Sequence, residues 1–163
     1  MAAKTNANSA PVVGNDAVEI LENDHRRIKA LLSELVEGDE ANRAATLDEL
    51  KALLTIHNAS EENLVYPAIR VIGRHPGQSD TLYHQQDEAK VAVWELDMLS
   101  EDGRDFEARA KKLQSAVLAH IKKEEEHEFP HLREAAGEEA LQELTGALRE
   151  LRDGLHVDVP PRR

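Results

Sequence analysis

The chain has 163 residues, no cysteine, a formal net charge of −12 and only 3% aromatic residues. The absence of thiols excludes disulfides and thiolate metal sites, and the negative charge argues against binding nucleic acid or an anionic membrane surface. No apolar run reaches membrane-spanning length and no charged-then-apolar leader opens the chain, so a soluble, cytoplasmic protein is the expectation.

Residues 1–15 are small, polar and aperiodic, and are expected to be disordered; residues 16–155 are expected to form one domain. Leu, Ala, Glu and Arg dominate, which suits helices. The first helix is expected from about Asp16 to Val36, with Val18, Leu21, His25, Ile28, Leu32 and Leu35 on its apolar face. The second is expected to start near Thr46, where Thr46-Leu-Asp-Glu49 resembles a capping box. Its face runs through Leu50, Leu53, Leu54, His57, Glu61, Leu64 and Ala68. The third follows the loop at Gly73 and covers about Asp80 to Leu99, with a face read as Thr81, His84, Glu88, Val91, Trp94, Glu95 and Met98. The fourth begins after Glu101-Asp-Gly-Arg and carries Leu113, Val117, His120, Glu124, His127 and His131. A fifth spans about Glu138 to Arg152, after Gly137. Four long helices with short connections predict an all-α fold, an antiparallel up-down-up-down four-helix bundle with an extra C-terminal helix.

Every one of the four apolar stripes is interrupted by a histidine: His25, His57, His84 and His120. Glu61, Glu88 and Glu124 follow three of them by four residues, and so share a helix face with them. A buried carboxylate without a partner costs several kcal/mol, so this layer calls for a cation. Without thiols, mixed nitrogen and oxygen ligation suits non-haem iron or manganese, with zinc also open.

The chain also repeats itself. A shift of 63 residues lays His57, Glu61, Glu62, Tyr66, Pro67 and Arg70 on His120, Glu124, Glu125, Phe129, Pro130 and Arg133. A shift of 59 lays His25 on His84. Two similar hairpins, each giving a histidine and a His-x-x-x-Glu pair, would supply two ions with two histidines each and two shared carboxylates.

The pattern of His25, His57-x-x-x-Glu61, His84 and His120-x-x-x-Glu124, with Tyr66-Pro67 and Phe129-Pro130, resembles the hemerythrin family of HHE cation-binding domains. The resemblance covers about Asp16 to Arg133. It implies two non-haem iron ions, oxo- or hydroxo-bridged, in a four-helix bundle. His25 and His57 would bind one iron, His84 and His120 the other, and Glu61 and Glu124 would bridge them. Family members carry or sense oxygen, sense iron, or act on peroxide or nitric oxide. Oxygen carriers have a second histidine where Glu88 stands here, and an aspartate five residues after the fourth-helix histidine, where Glu125 stands. The extra carboxylate favours ferric iron and points toward peroxide chemistry, as in a di-iron catalase, rather than oxygen carriage. Sensing without turnover is the alternative, and a monomer is expected. Glu88 is a candidate to complete the second ion's ligands. Glu125, His127, Tyr66 and Tyr83 are open as further ligands, with both tyrosines expected as ordinary packing at the rim.

Two other metal readings compete. His127-Glu-Phe-Pro-His131 matches the zinc-protease HExxH pattern, but Pro130 interrupts the helix that pattern needs. A ferritin-like centre would use Glu22-x-x-His25 and Glu124-x-x-His127, leaving His57, His84 and His120 unexplained. A metal-free helical interaction module fits the acidic surface but not the buried carboxylates.

Overall fold

The computed structural model describes residues 14–99 and 103–155. The helices are α1 (Ala17–Glu37), α2 (Arg43–Ser60), α3 (Tyr66–Val71), α4 (Pro76–Asp97), α5 (Arg104–Lys123) and α6 (Phe129–Gly154). Wide π-helical turns at Glu61–Val65 and Glu124–Glu128 join α2 to α3 and α5 to α6. Both joins are continuous, so the chain forms the expected all-α, four-helix bundle with a fifth helix at its C-terminal end. Residues 1–13, most of the segment expected to be disordered, lie outside the described residues.

Local chemistry explains most of the boundaries. Asp16 caps α1, its side chain accepting the Glu19 N–H at 2.9 Å. The second helix starts earlier than expected, at Arg43, so Thr46 is a buried residue inside it rather than a cap. A short 3-10 turn, Glu40–Asn42, leads into it and is capped by Asp39. Gly137 has φ of +67° and breaks α6 into a continuation of the fourth bundle helix and the fifth helix. A side chain there would meet nothing within 4 Å, so the left-handed backbone is what calls for glycine.

The two π turns lie 63 residues apart, matching the sequence repeat. Each precedes an aromatic-Pro step, Tyr66-Pro67 or Phe129-Pro130. Proline has no N–H for an i−4 bond, and the widened turn absorbs that loss without a break. The Tyr66 N–H bonds the Glu61 carbonyl, and the Phe129 N–H bonds the Glu124 carbonyl. The wide turns therefore hang on the two glutamates of the repeat.

Two apolar clusters fill the bundle. One holds Val18, Leu21, Val65, Ile69, Phe129 and Leu148. The other holds Ile28, Leu32, Leu50, Phe106, Leu113 and Ile121. A polar layer with Asp24, His25, His57, Ser60, Glu61, Gln86 and Glu124, all buried, lies between them along the chain.

The third helix departs from expectation. Its inner face is Leu82, Gln86 and Leu96, with Ala89, Ala92 and Val93 packed alongside. Val91, Trp94 and Met98 are exposed at 57%, 64% and 70%, so the face read from the sequence is the solvent side.

Candidate metal centre

Four donors converge at the bundle centre. One ligand atom each from His25, His57, Glu61 and Glu124 lies within 4.8 Å of all the others, and all four residues are buried. His25 Nε2 is 3.3 Å from Glu124 Oε2 and 3.9 Å from Glu61 Oε1. His57 Nε2 is 3.2 Å from Glu61 Oε1. His120 joins from the side, its Nε2 3.2 Å from Glu124 Oε1.

Each imidazole is oriented from behind. His25 Nδ1 faces Glu125 Oε1 at 3.0 Å, His57 Nδ1 faces Asp24 Oδ2 at 3.1 Å, and His120 Nδ1 faces Gln85 Oε1 at 3.1 Å. An acceptor at Nδ1 keeps the proton there and turns the Nε2 lone pair inward, the arrangement of metal-binding histidines. Glu125 thus acts behind His25 rather than at the centre.

The outer carboxylates carry their own cations, and the inner ones do not. Glu125 pairs with Lys29 Nζ at 2.9 Å. Asp24 pairs with the guanidinium of Arg152, which also donates to Ser60 Oγ at 3.0 Å. Arg152 comes from the fifth helix and is buried inside the bundle. Glu61 and Glu124 are fully buried with no lysine or arginine partner among the described residues. Among the described residues, His25 Nε2, Glu61 Oε1 and Glu124 Oε2 are buried and find no hydrogen-bond partner. Three unsatisfied donor atoms facing one another fit a cation.

Protons can take that role in part. Burial opposes charge on His57, but Glu61 and Asp24 outweigh it and raise its pKa to about 10. Burial opposes charge on His25 and His120 as well, and Glu124 raises both. A metal would displace these protons.

Tyr66 is not at the rim. Its hydroxyl is buried among Glu61 Oε2 and Glu124 Oε1, both at 2.9 Å, and His120 Nε2 at 3.1 Å. Gln86 Nε2 donates to Glu61 Oε2 at 2.7 Å and lies 3.2 Å from the same hydroxyl. One phenolic proton cannot serve both carboxylate oxygens, so this second cluster also needs a proton on His120 or a cation. Burial, then Glu61 and Glu124, push the Tyr66 pKa well above its usual value. Tyr83 does sit at the edge, donating to the Glu62 carbonyl at 2.6 Å.

The structure does not bring His84 and Glu88 to this centre. They pair with each other at 3.4 Å on the outer side of α4, with side chains 75% and 68% exposed. The physical reason is the inner stripe of Leu82, Ala89, Val93 and Leu96, which turns Gln86 inward instead. His127 is exposed, not core-facing. His131 Nε2 donates to the Gly73 carbonyl at 2.8 Å, and its ring stacks on His75. The HExxH residues therefore do not converge, and the ferritin-like pairing through His127 has no geometric support. Asp24, Gln85, Gln86 and Arg152 were missed. Gln86 alone had a sequence signal, its place between Leu82 and Ala89 in a three-and-four stripe.

The profile of the Hemerythrin HHE cation binding domain matches residues 16–132, well over half of the chain. The chain belongs to the hemerythrin HHE family. A crystal structure of a hemerythrin HHE cation-binding domain-containing protein from Mycobacterium kansasii superposes with a TM-score of 0.71. It is 20% identical, over 86% of this chain and 89% of that one, and so shows the shared fold. A protein of Nostoc sp. described as a DNA nickase is 26% identical over 118 residues. This HHE chain spans about a third of that relative's length (71% of this chain, 33% of the other). No helix among the described residues is long and apolar enough to cross a membrane.

Proposed function

We propose that this HHE domain holds non-haem iron and acts on a small oxygen species, peroxide above all. The carrying observation is the set of buried, unpartnered atoms His25 Nε2, Glu61 Oε1 and Glu124 Oε2. His25, His57, Glu61 and Glu124 would hold one ion. His120, with the remaining oxygens of Glu61 and Glu124, would hold a second beside Tyr66. Bound iron supplies the redox change and Lewis acidity that peroxide chemistry needs.

The chain's own residues do the rest. Apolar clusters on either side of the layer shield it along the bundle axis. The Tyr66 hydroxyl holds a proton at the centre, within reach of a substrate oxygen. Gln86 and His120 keep that hydroxyl in place. The hard, carboxylate-rich donor set supports ferric chemistry over reversible oxygen carriage.

One observation favours sensing as a second reading. Arg152 ties the fifth helix to His57 through Asp24, so the state of His57 is felt outside the four-helix bundle. Iron content, the absorption bands of oxo-bridged ferric iron, and peroxide consumption test both. Two irons per chain, and consumption faster than by equal free iron, are expected. Consumption no faster than by free iron leaves only the sensing reading. A protein that retains no iron, and melts unchanged after chelation, would falsify the metal reading itself.

A further inference from the structure

A cavity of about 460 Å³ opens between α2, α4 and α5. Its walls are mostly apolar: Ile28, Leu54, Val93, Val117 and Ile121. His57 and His120 form part of its lining, so it borders the metal layer. It exists because α4 presents short side chains, Ala89 and Val93, toward it, with Trp94 at its exposed rim.

Size and charge narrow the occupant. A water takes up about 30 Å³ of liquid, so the space far exceeds hydrogen peroxide and falls among organic-ligand pockets. The lysines of the lining already have carboxylates of their own. Lys51 pairs with Asp97 at 2.8 Å, and Lys90 pairs with Glu62. Neither is left to recruit an anion, and apolar walls disfavour any charged guest.

We propose that this cavity binds a neutral, chiefly apolar organic molecule, and that its reactive class is an organic hydroperoxide. The apolar body lies against Leu54, Val93 and Val117, and the hydroperoxide end faces His57 and His120. Breaking the O–O bond to give the alcohol and water takes two protons and two electrons, and two ferrous ions held at the centre, going to ferric, would supply the electrons. The choice of hydroperoxide rests on the peroxide reading above; the binding site rests on the cavity alone.

Trp94 is the chain's only tryptophan and lines this cavity, so its emission reports occupancy. Metal-free protein is titrated with cumyl alcohol, a redox-inert stand-in for cumene hydroperoxide. A saturable change in Trp94 emission is expected. Ala89→Phe and Val93→Phe, which fill the cavity at two positions, should each weaken binding at least tenfold while melting stays cooperative. In protein loaded with ferrous iron, the single-turnover rate with cumene hydroperoxide relative to hydrogen peroxide should fall at least tenfold in both variants. No saturable response in the wild type, or unchanged affinity in a folded variant of either kind, overturns the site. Binding of cumyl alcohol with no consumption of either peroxide overturns the hydroperoxide class and the peroxide reading, and supports the cavity as a binding site.

Discussion

In the first hairpin, α1 turns His25 into the bundle, its Nε2 3.3 Å from Glu124. In the second hairpin, α4 turns His84 out to solvent and puts Gln86 in its place. The partner helices of the two hairpins, by contrast, match closely. Each has a His-x-x-x-Glu pair leading into a π turn and an aromatic-Pro step. Even there one difference counts: Tyr66 brings a hydroxyl to the centre, and Phe129 in the equivalent place packs on the His25 ring at 5.7 Å. The repeat therefore builds two symmetric carboxylates between unequal halves. One side of the centre offers two imidazoles, and the other offers one imidazole and an amide from the second hairpin with the Tyr66 phenol from the first. If two ions bind as proposed, their positions should differ in affinity.

The largest effects should come from the fuller half. His57→Ala or Glu61→Ala should abolish retained iron and cost several kcal/mol relative to loaded wild-type protein, because metal binding and bundle closure are coupled. His120→Ala should be milder and leave about one iron per chain. Metal analysis after gel filtration, with melting before and after chelation, checks this. Equal loss of both irons from His57→Ala and His120→Ala would show that the halves are equivalent after all.

Arg152→Met tests how the fuller half is supported. It removes the guanidinium from the buried Asp24 carboxylate and leaves His57 Nδ1 as its remaining partner. Breaking such a pair costs about 3–5 kcal/mol, and loss of an orienting partner weakens metal binding roughly 10- to 100-fold. Denaturant melts and competition with a chelator measure the two terms separately. Asp24→Asn with Arg152→Met should recover stability but not iron affinity. Recovery of both would show that Asp24 plays no part in presenting His57.

The pH dependence should also change with loading. In the metal-free protein, His57 has a pKa near 10 against 6.5 unfolded. Its contribution is complete below about pH 6.5 and is lost as pH rises through 10. Melting of the metal-free protein should therefore fall from pH 6 to pH 10, a trend the loaded protein should not follow. Iron uptake should release protons and tighten as pH rises. Equal metal-free stability at the two pH values would mean that His57 is uncharged in the fold.

Most of this architecture is readable in the sequence because three helices have one apolar stripe each. Val18, Leu21, Ile28 and Leu32 leave no doubt about α1, so His25 is placed by its neighbours. The third bundle helix, α4, has two stripes. Thr81, His84, Glu88, Val91 and Met98 compete with Leu82, Gln86, Ala89, Val93 and Leu96, and both follow the same period. The choice is made by packing against α3 and α5, which the periodicity of one helix does not contain. Asp24 and Arg152 were hidden for a related reason: 128 residues separate them, and neither breaks the pattern of its own helix.

Gln86→His would sharpen the asymmetry by giving the poorer half an imidazole where the amide stands, 2.7 Å from Glu61 Oε2. It should raise the affinity of the second iron several-fold with little effect on the first. Stepwise iron titration would resolve the two. A gain at the first position instead would mean that Gln86 belongs to the fuller half.

The smallest expected effect is the most discriminating for α4. His84 and Glu88 pair at the surface, where such contacts contribute little. His84→Ala should change stability by no more than about 0.5 kcal/mol and leave iron content and peroxide consumption unchanged. The sequence repeat alone predicts the opposite, since His84 is the counterpart of His25 and its removal would then cost an iron. Loss of one iron per chain from His84→Ala would mean that α4 rotates on loading, exchanging Gln86 for His84 at the centre. An unchanged protein would fix the second half as a site made by His120, Tyr66 and the two shared glutamates.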